Sequence, residues 1–169
     1  QRFCLLSKQA FILTDMDKYD FMRLALEQAR LSADEGEVPV GAVVVRNGEV
    51  VSYGRNCREK EKNALCHAEI EAIDKACKAL GGWRLWECEM YVTLEPCPMC
   101  AGAIINSRLK KVTYGAKDYK NGAVESVTEM FSLPFTHKPE TESGVLGEEC
   151  SNLLSEFFKN LREQRTNNK

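Results

Sequence analysis

Apolar residues recur along the chain with two different periods, and the switches between them mark its elements. Between Asp17 and Gly36, Phe21, Leu24, Ala25 and Ala29 share one side of a helical repeat, which predicts an amphipathic helix ending at Gly36. The run VPVGAVVVRNGEVVSYGRN holds two β-rich stretches around Asn47-Gly48, a strong short hairpin signal. After a polar loop, Glu69, Ala72, Ile73, Ala76 and Leu80 fall on one helix face and Glu71, Asp74, Lys75 and Lys78 on the other, up to the Gly81-Gly82 break. EMYVTLE reads as a short strand ending at Pro96. PCPMCAGAIINSR reads as a helix with its prolines in the first turn; being apolar nearly all round, it is predicted to be a buried layer. KKVTYGA predicts the next strand, and a further strand–helix–strand unit is expected to close the fold. In the tail, Cys150, Leu153, Leu154, Phe157, Phe158 and Leu161 are spaced as another core-facing helix. A hairpin followed by alternating helices and strands predicts the α/β class, with one mixed sheet and helices on both faces.

Length and composition narrow this picture. A chain of 169 residues suits one domain, placed at 16–165, with residues 1–15 as an extra N-terminal segment and 166–169 as a polar tail. The opening QRFCLLSKQAFILTD has an arginine and apolar residues, but Ser7, Lys8 and Gln9 interrupt them and no small-x-small cleavage site follows, so a signal peptide is not expected. With 44% apolar and 28% charged residues the chain fits a folded globular protein, and no apolar run approaches the roughly 20 residues of a membrane-spanning helix. Eight cysteines without an export signal predict reduced thiols and a cytoplasmic location rather than a disulfide scaffold. A net charge of −2 and a pI near 5.8 argue against a nucleic-acid partner for the molecule as a whole. Local charge points the other way: the segment 107–120 carries Arg108, Lys110, Lys111, Lys117 and Lys120 against the single acid Asp118.

One position breaks the apolar pattern. Glu69 lies on the inward side of its helix, where a carboxyl group needs a cation, a proton donor or a chemical task. His67 stands at the mouth of the same helix, and Cys97 and Cys100 stand three residues apart at the mouth of another. Helix N-termini favour thiolate over thiol, and one imidazole with two thiolates suits Zn²⁺. Three protein ligands leave a fourth tetrahedral position for water, as in catalytic zinc sites, and Glu69 is placed to move that water's proton. Taken alone, CPMC between a strand and a helix is equally a thioredoxin-like redox pair. Cys66 could close the metal site as a fourth ligand, but neighbouring residues on a helix point about 100° apart, so it is expected to pack, like Cys57, Cys77, Cys88 and Cys150.

His-x-Glu on one helix, with Pro-Cys-x-x-Cys on the next and a strand between, resembles the signature of the zinc nucleobase deaminases. VPVGAVVV, HAEIEAI, YVTLEPCPMCAGAIINSR, YGAKDYKNGA and LLSEFFK together resemble the bacterial tRNA-specific adenosine deaminases, a branch of the cytidine-deaminase-like superfamily, from about Asp17 to Arg165. The resemblance implies a three-layer α/β/α fold, a homodimer with one zinc ion per subunit, and hydrolysis of the wobble adenosine of a tRNA anticodon to inosine. It further implies His67, Cys97 and Cys100 as zinc ligands, Glu69 as proton shuttle and Asn56 as the purine-binding asparagine. RNA contacts would fall to Lys110, Lys111, Lys117, Asp118 and Lys120 and to Phe157 and Phe158, for which core packing is the competing role. Pro98 is more typical of guanine and cytosine deaminases, so free-nucleobase deamination is the alternative substrate reading. A redox or structural Cys-x-x-Cys protein is a more remote one.

Overall fold

The structure, a computed structural model, describes residues 16–167. The expected extra segment 1–15 lies outside them. Helix α1 (Lys18–Asp34) starts on a reciprocal cap: the Asp17 carboxylate accepts from the Tyr19 and Asp20 amides at 2.8 and 3.0 Å, and Asp20 accepts from the Asp17 amide at 3.1 Å. Strands β1 (Gly41–Arg46) and β2 (Glu49–Arg55) form the hairpin, with Asn47 and Gly48 at φ of 52° and 78°, the positive values that a two-residue turn of this twist requires. A short helix α2 (Arg58–Glu61) precedes α3 (Ala68–Leu80), which ends at Gly81 in the left-handed region. Then follow β3 (Cys88–Leu94), α4 (Pro98–Ser107), β4 (Lys111–Ala116), β5 (Glu140–Ser143) and α5 (Gly147–Asn167).

The five strands form one sheet in the order β2-β1-β3-β4-β5; the first two pairings are antiparallel and the last two parallel. Alternation along β1 divides the core. Ala42 and Val44 face α3 and α4, packing with Ala72, Ala76, Ala101 and Ile104, while Val43 and Val45 face α1 with Phe21, Met22, Ala25 and Leu26. Each of these valines is fully or nearly fully buried, contributing about 1.5–3 kcal/mol by its removal from water. The expected mixed sheet with helices on both faces is therefore what the chain forms.

Five expectations are modified. The connection from β4 to β5 contains no α-helix, only a 3₁₀ turn at Met130–Ser132; Gly122, Pro134 and Pro139 interrupt it and no helical apolar period runs through it. Helix α5 is core-facing only at its start: Cys150 is buried, Leu153 and Leu154 are half-buried, and Phe158 is exposed. At about 1.5 Å per residue it spans about 31 Å, against about 20 Å for the six-residue β4 beneath it, so its second half overruns the sheet. It continues through Asn167, making the first two residues of the expected polar tail helical. Helix α4 buries Cys100, Ala101, Ile104 and Ile105 but leaves Pro98 and Asn106 exposed and Met99, Gly102 and Ala103 half-covered, so it is not enclosed on all sides. Leu80, expected inward, is exposed in the last turn of α3. No helix of the described residues is long and apolar enough to cross a membrane.

The seat of α3 on β2 depends on one missing side chain. A Cβ on Gly54 would fall 2.0 Å from the Ala68 carbonyl oxygen and 2.6 Å from the Ala72 amide nitrogen, both backbone atoms of α3. No rotamer change can relieve that contact. Gly54→Ala is expected to destabilise the domain by about 2–3 kcal/mol in urea unfolding, as overpacking against backbone does; an unchanged midpoint would show that α3 is free to shift outward.

Candidate active site

Burial of both sheet faces leaves the N-termini of α3 and α4 side by side near the carboxyl ends of β3 and β4. His67 is the N-cap of α3 and Cys97 the N-cap of α4, both in extended backbone, with Cys100 in the first turn of α4. The His67 Nδ1 atom lies 3.8 Å from Cys97 Sγ and 3.6 Å from Cys100 Sγ. For a tetrahedral ion with Zn–S of about 2.3 Å and Zn–N of about 2.0–2.1 Å, the nitrogen–sulfur edge should be about 3.6 Å. Both nitrogen–sulfur edges are thus close to what such an ion needs, and the three donors are the group of metal-binding type that the described residues bring within 4.8 Å of one another. Cys66, the suspected fourth ligand, is not in that group.

Electrostatics at the trio follow from proximity. Hydrogen bonding from the Cys100 thiol, aided by His67 against the opposing effect of burial, holds Cys97 down to about 4. Cys100 is driven far up by Cys97 first and by burial second, and the hydrogen bond to Cys97 raises His67. A lowered Cys97 thiol beside a His67 ring and a Cys100 thiol that hold their protons more tightly is the pattern of a site that exchanges protons for a cation. Glu69, in the first turn of α3, is 4% exposed, and burial pushes its carboxyl up to about 7. At neutral pH it is divided between acid and base forms, as a group that both takes and gives a proton must be.

His67, Glu69 and Cys97 border a cavity of about 360 Å³, within the range of small-ligand sites. Asn56 lies on its wall, 8% exposed. Its Nδ2 donates to the Val38 carbonyl at 3.1 Å and its backbone carbonyl accepts from Ser32 Oγ at 2.9 Å, which fixes the side chain while, among the described residues, no donor reaches Oδ1. A fixed amide with a free acceptor can hydrogen-bond the edge of a purine.

Comparisons with known proteins agree with this geometry. The MafB19-like deaminase family matches residues 16–162. A tRNA-specific adenosine deaminase of Bacillus subtilis is 48% identical over 146 residues, covering 86% of this chain and 91% of that protein. One from Rickettsia typhi is 49% identical over 144 residues, covering 83% and 97%. The chain belongs to the tRNA-specific adenosine deaminase family.

Solved structures place this deaminase fold in the same group. One from a study of A-to-I editing by tRNA:A34 deaminases at the wobble position is 45% identical, with a TM-score of 0.78 over 79% of this chain and 98% of that one. A guanine deaminase from Bacillus subtilis is 32% identical, with a TM-score of 0.58 over 72% and 88%. The cytidine-deaminase-like α/β/α architecture expected from the sequence is the one observed.

Within the deaminase domain, the residues expected to touch RNA do not form one patch. Asp118 lies at the cavity, its Oδ1 accepting from the Lys120 and Asn121 amides at 2.9 and 3.1 Å. Lys117 and Lys120 are exposed next to it, Lys117 pairing with Glu125 at 3.1 Å. Lys110 and Lys111 are at the opposite end of β4, where Lys111 pairs with Glu142 at 2.6 Å. Phe157 and Phe158 stack edge to face with ring centres 5.5 Å apart, and Phe157 lines a separate groove between α5 and the end of α1. Sequence reasoning missed Arg58, Glu95 and Asn121, which also line the cavity. Of these only Glu95 carried a signal, an acid directly after a mostly apolar strand and before Pro96 and Cys97.

Cobalt titration of the metal-stripped protein checks the donor set. One Co²⁺ per chain with intense sulfur-to-metal absorption is expected, lost in Cys100→Ala and retained in Cys66→Ala; loss in Cys66→Ala would make the site a closed, four-ligand one.

Proposed function

We propose that this chain deaminates adenosine to inosine at the wobble position of a tRNA anticodon, using one Zn²⁺ per subunit held by His67, Cys97 and Cys100. The observation that carries the reading is Glu69, a carboxyl group buried beside a three-donor metal group and open to a cavity with room for a nucleobase. The roughly 48% identity to tRNA-specific adenosine deaminases over most of the chain supports the substrate.

The bound cation would supply Lewis acidity that brings the pKa of water to about 7. Glu69, poised near neutrality by burial, takes a proton from the attacking water and delivers it to the purine ring nitrogen. As water adds at C6 and the amine departs with a further proton, the products are inosine and ammonia, so one water is consumed and no redox partner is needed. Asn56 orients the base through its free Oδ1, and the cavity walls from Val38, Val40 and Leu94 exclude bulk water. An anticodon loop presents unstacked bases, which lowers the cost of inserting one. Exposed Lys117 and Lys120 beside the cavity offer phosphate contacts that add affinity without reading sequence.

The same reading takes residues 16–165 as a single deaminase domain, located in the cytoplasm, without a membrane partner and acting as a homodimer. The half-covered Met99, Gly102 and Ala103 on the otherwise apolar α4 support pairing of two copies. Sedimentation is expected to give about twice the chain mass of 19.1 kDa; a monomer at micromolar concentration would refute the pairing.

Incubation with an anticodon stem-loop carrying a wobble adenosine, and separately with guanine, followed by nucleoside mass spectrometry, tests the substrate. Inosine is expected from the RNA and no xanthine from guanine. Glu69→Gln should keep its metal while losing about 10²–10⁴-fold in turnover; retained turnover would remove Glu69 from the chemistry.

A further inference from the structure

Glu95 is 2% exposed, and its side chain accepts five hydrogen bonds. Four come from backbone amides of one loop: Asp118 at 3.1 Å to Oε2, and Val124, Glu125 and Ser126 at 3.1, 2.8 and 2.9 Å to Oε1. The Ser126 hydroxyl supplies the fifth. Burial alone would raise this carboxyl group, yet the Ser126 hydroxyl and these amides hold it below its usual range. The loop belongs to the β4–β5 connection that lacks a helix, so these amides have no ladder or helical turn to satisfy them, and an unpaired buried amide is costly.

The fit is close on both sides. A Cβ on Gly122 would fall 2.4 Å from the Glu95 carboxyl carbon, so only glycine lets the loop wrap the side chain this tightly. The Ala123 amide donates to the Pro96 carbonyl at 2.9 Å, a second tie between the same two segments. Glu95 is followed directly by Pro96 and Cys97, and the loop it holds carries Asp118 and Asn121 to the cavity wall.

Building on the adenosine deaminase reading, we propose that Glu95 is a positioning residue for the RNA substrate: it joins the loop 118–126 to the turn before Cys97, so that the substrate wall and the metal-side wall of the cavity move as one body. It does not touch the reacting atoms. Its contribution is to substrate binding, through Asp118 and Asn121, rather than to holding the metal.

Glu95→Gln replaces one acceptor oxygen with a donor that faces other donors, so part of the loop must detach. Gly122→Ala perturbs the same joint from the loop side while leaving Glu95 in place, and it decides the matter if Glu95→Gln fails to fold. With the full chain and an anticodon stem-loop, each variant is expected to raise KM by at least about tenfold, the equivalent of one or two lost buried hydrogen bonds, with kcat within about threefold of wild type. Cobalt stoichiometry and sulfur-to-metal absorption should be unchanged, while amide exchange at Asp118, Val124, Glu125 and Ser126 accelerates. A merely structural role would lower the active fraction and kcat together and leave KM in place, and that result overturns the proposal, as does loss of the metal. A wild-type protein that makes no inosine overturns the adenosine reading; faster amide exchange with unchanged KM overturns only the positioning role.

Discussion

A carboxyl group removed from water beside two sulfur atoms and an imidazole is the constraint around which this molecule is organised. Glu69 is 4% exposed, and its burial is tolerable because its proton affinity rises toward neutrality and because the start of α3 points amides and a positive dipole end at it. His67, two residues earlier, is brought to the Cys97 and Cys100 sulfurs at distances a tetrahedral cation would itself impose. Acid, imidazole and thiols therefore depend on each other for a stable charge state. Removing any one leaves a buried ionisable group without its partner.

Backbone contacts rather than side-chain preferences hold that arrangement. Helix α3 lies so close to β2 that Gly54 faces its carbonyls and amides directly, and α1 approaches β1 in the same way at Gly41, where a Cβ would fall 2.1 Å from the Ala25 carbonyl oxygen. These two close approaches set the helices at fixed heights on opposite faces of the sheet. Cys97 is set by different means: β3 ends, Pro96 and Pro98 restrict the backbone on either side, and α4 begins. The metal group is thus mounted on the starts of two seated helices, which suits a site whose donors must stand within a few tenths of an ångström of their working positions.

The opposite wall of the cavity is built from irregular chain. Where a helix was expected between β4 and β5, a loop folds around the Glu95 side chain, and a single buried carboxylate takes the place of a ladder of backbone bonds. Such a loop can carry substrate-facing groups at positions that a helix, with its fixed spacing, could not reach. The second half of α5, overrunning the sheet, extends the surface in another direction, with Phe157 and Phe158 only partly covered.

Local patterning was enough to determine the helices and strands up to β4 except the one-turn α2, which lies in the stretch read as a polar loop, together with the Asn47-Gly48 turn, the mixed sheet and the inward position of Glu69, because each depends on spacing along a few turns or a few pleats. The metal group was legible for the same reason: His67 and Glu69 share one helix start, and Cys97 and Cys100 share another. Folding alone decided what depends on contacts between distant segments. The pairing of Glu95 with amides 23 to 31 residues away is of this kind, as is the separation of Lys110 and Lys111 from Lys117 and Lys120 by the length of β4. So is the exposure of α5 beyond its first turns, since the apolar period of a helix states which side is sticky but not how far the sheet beneath it extends.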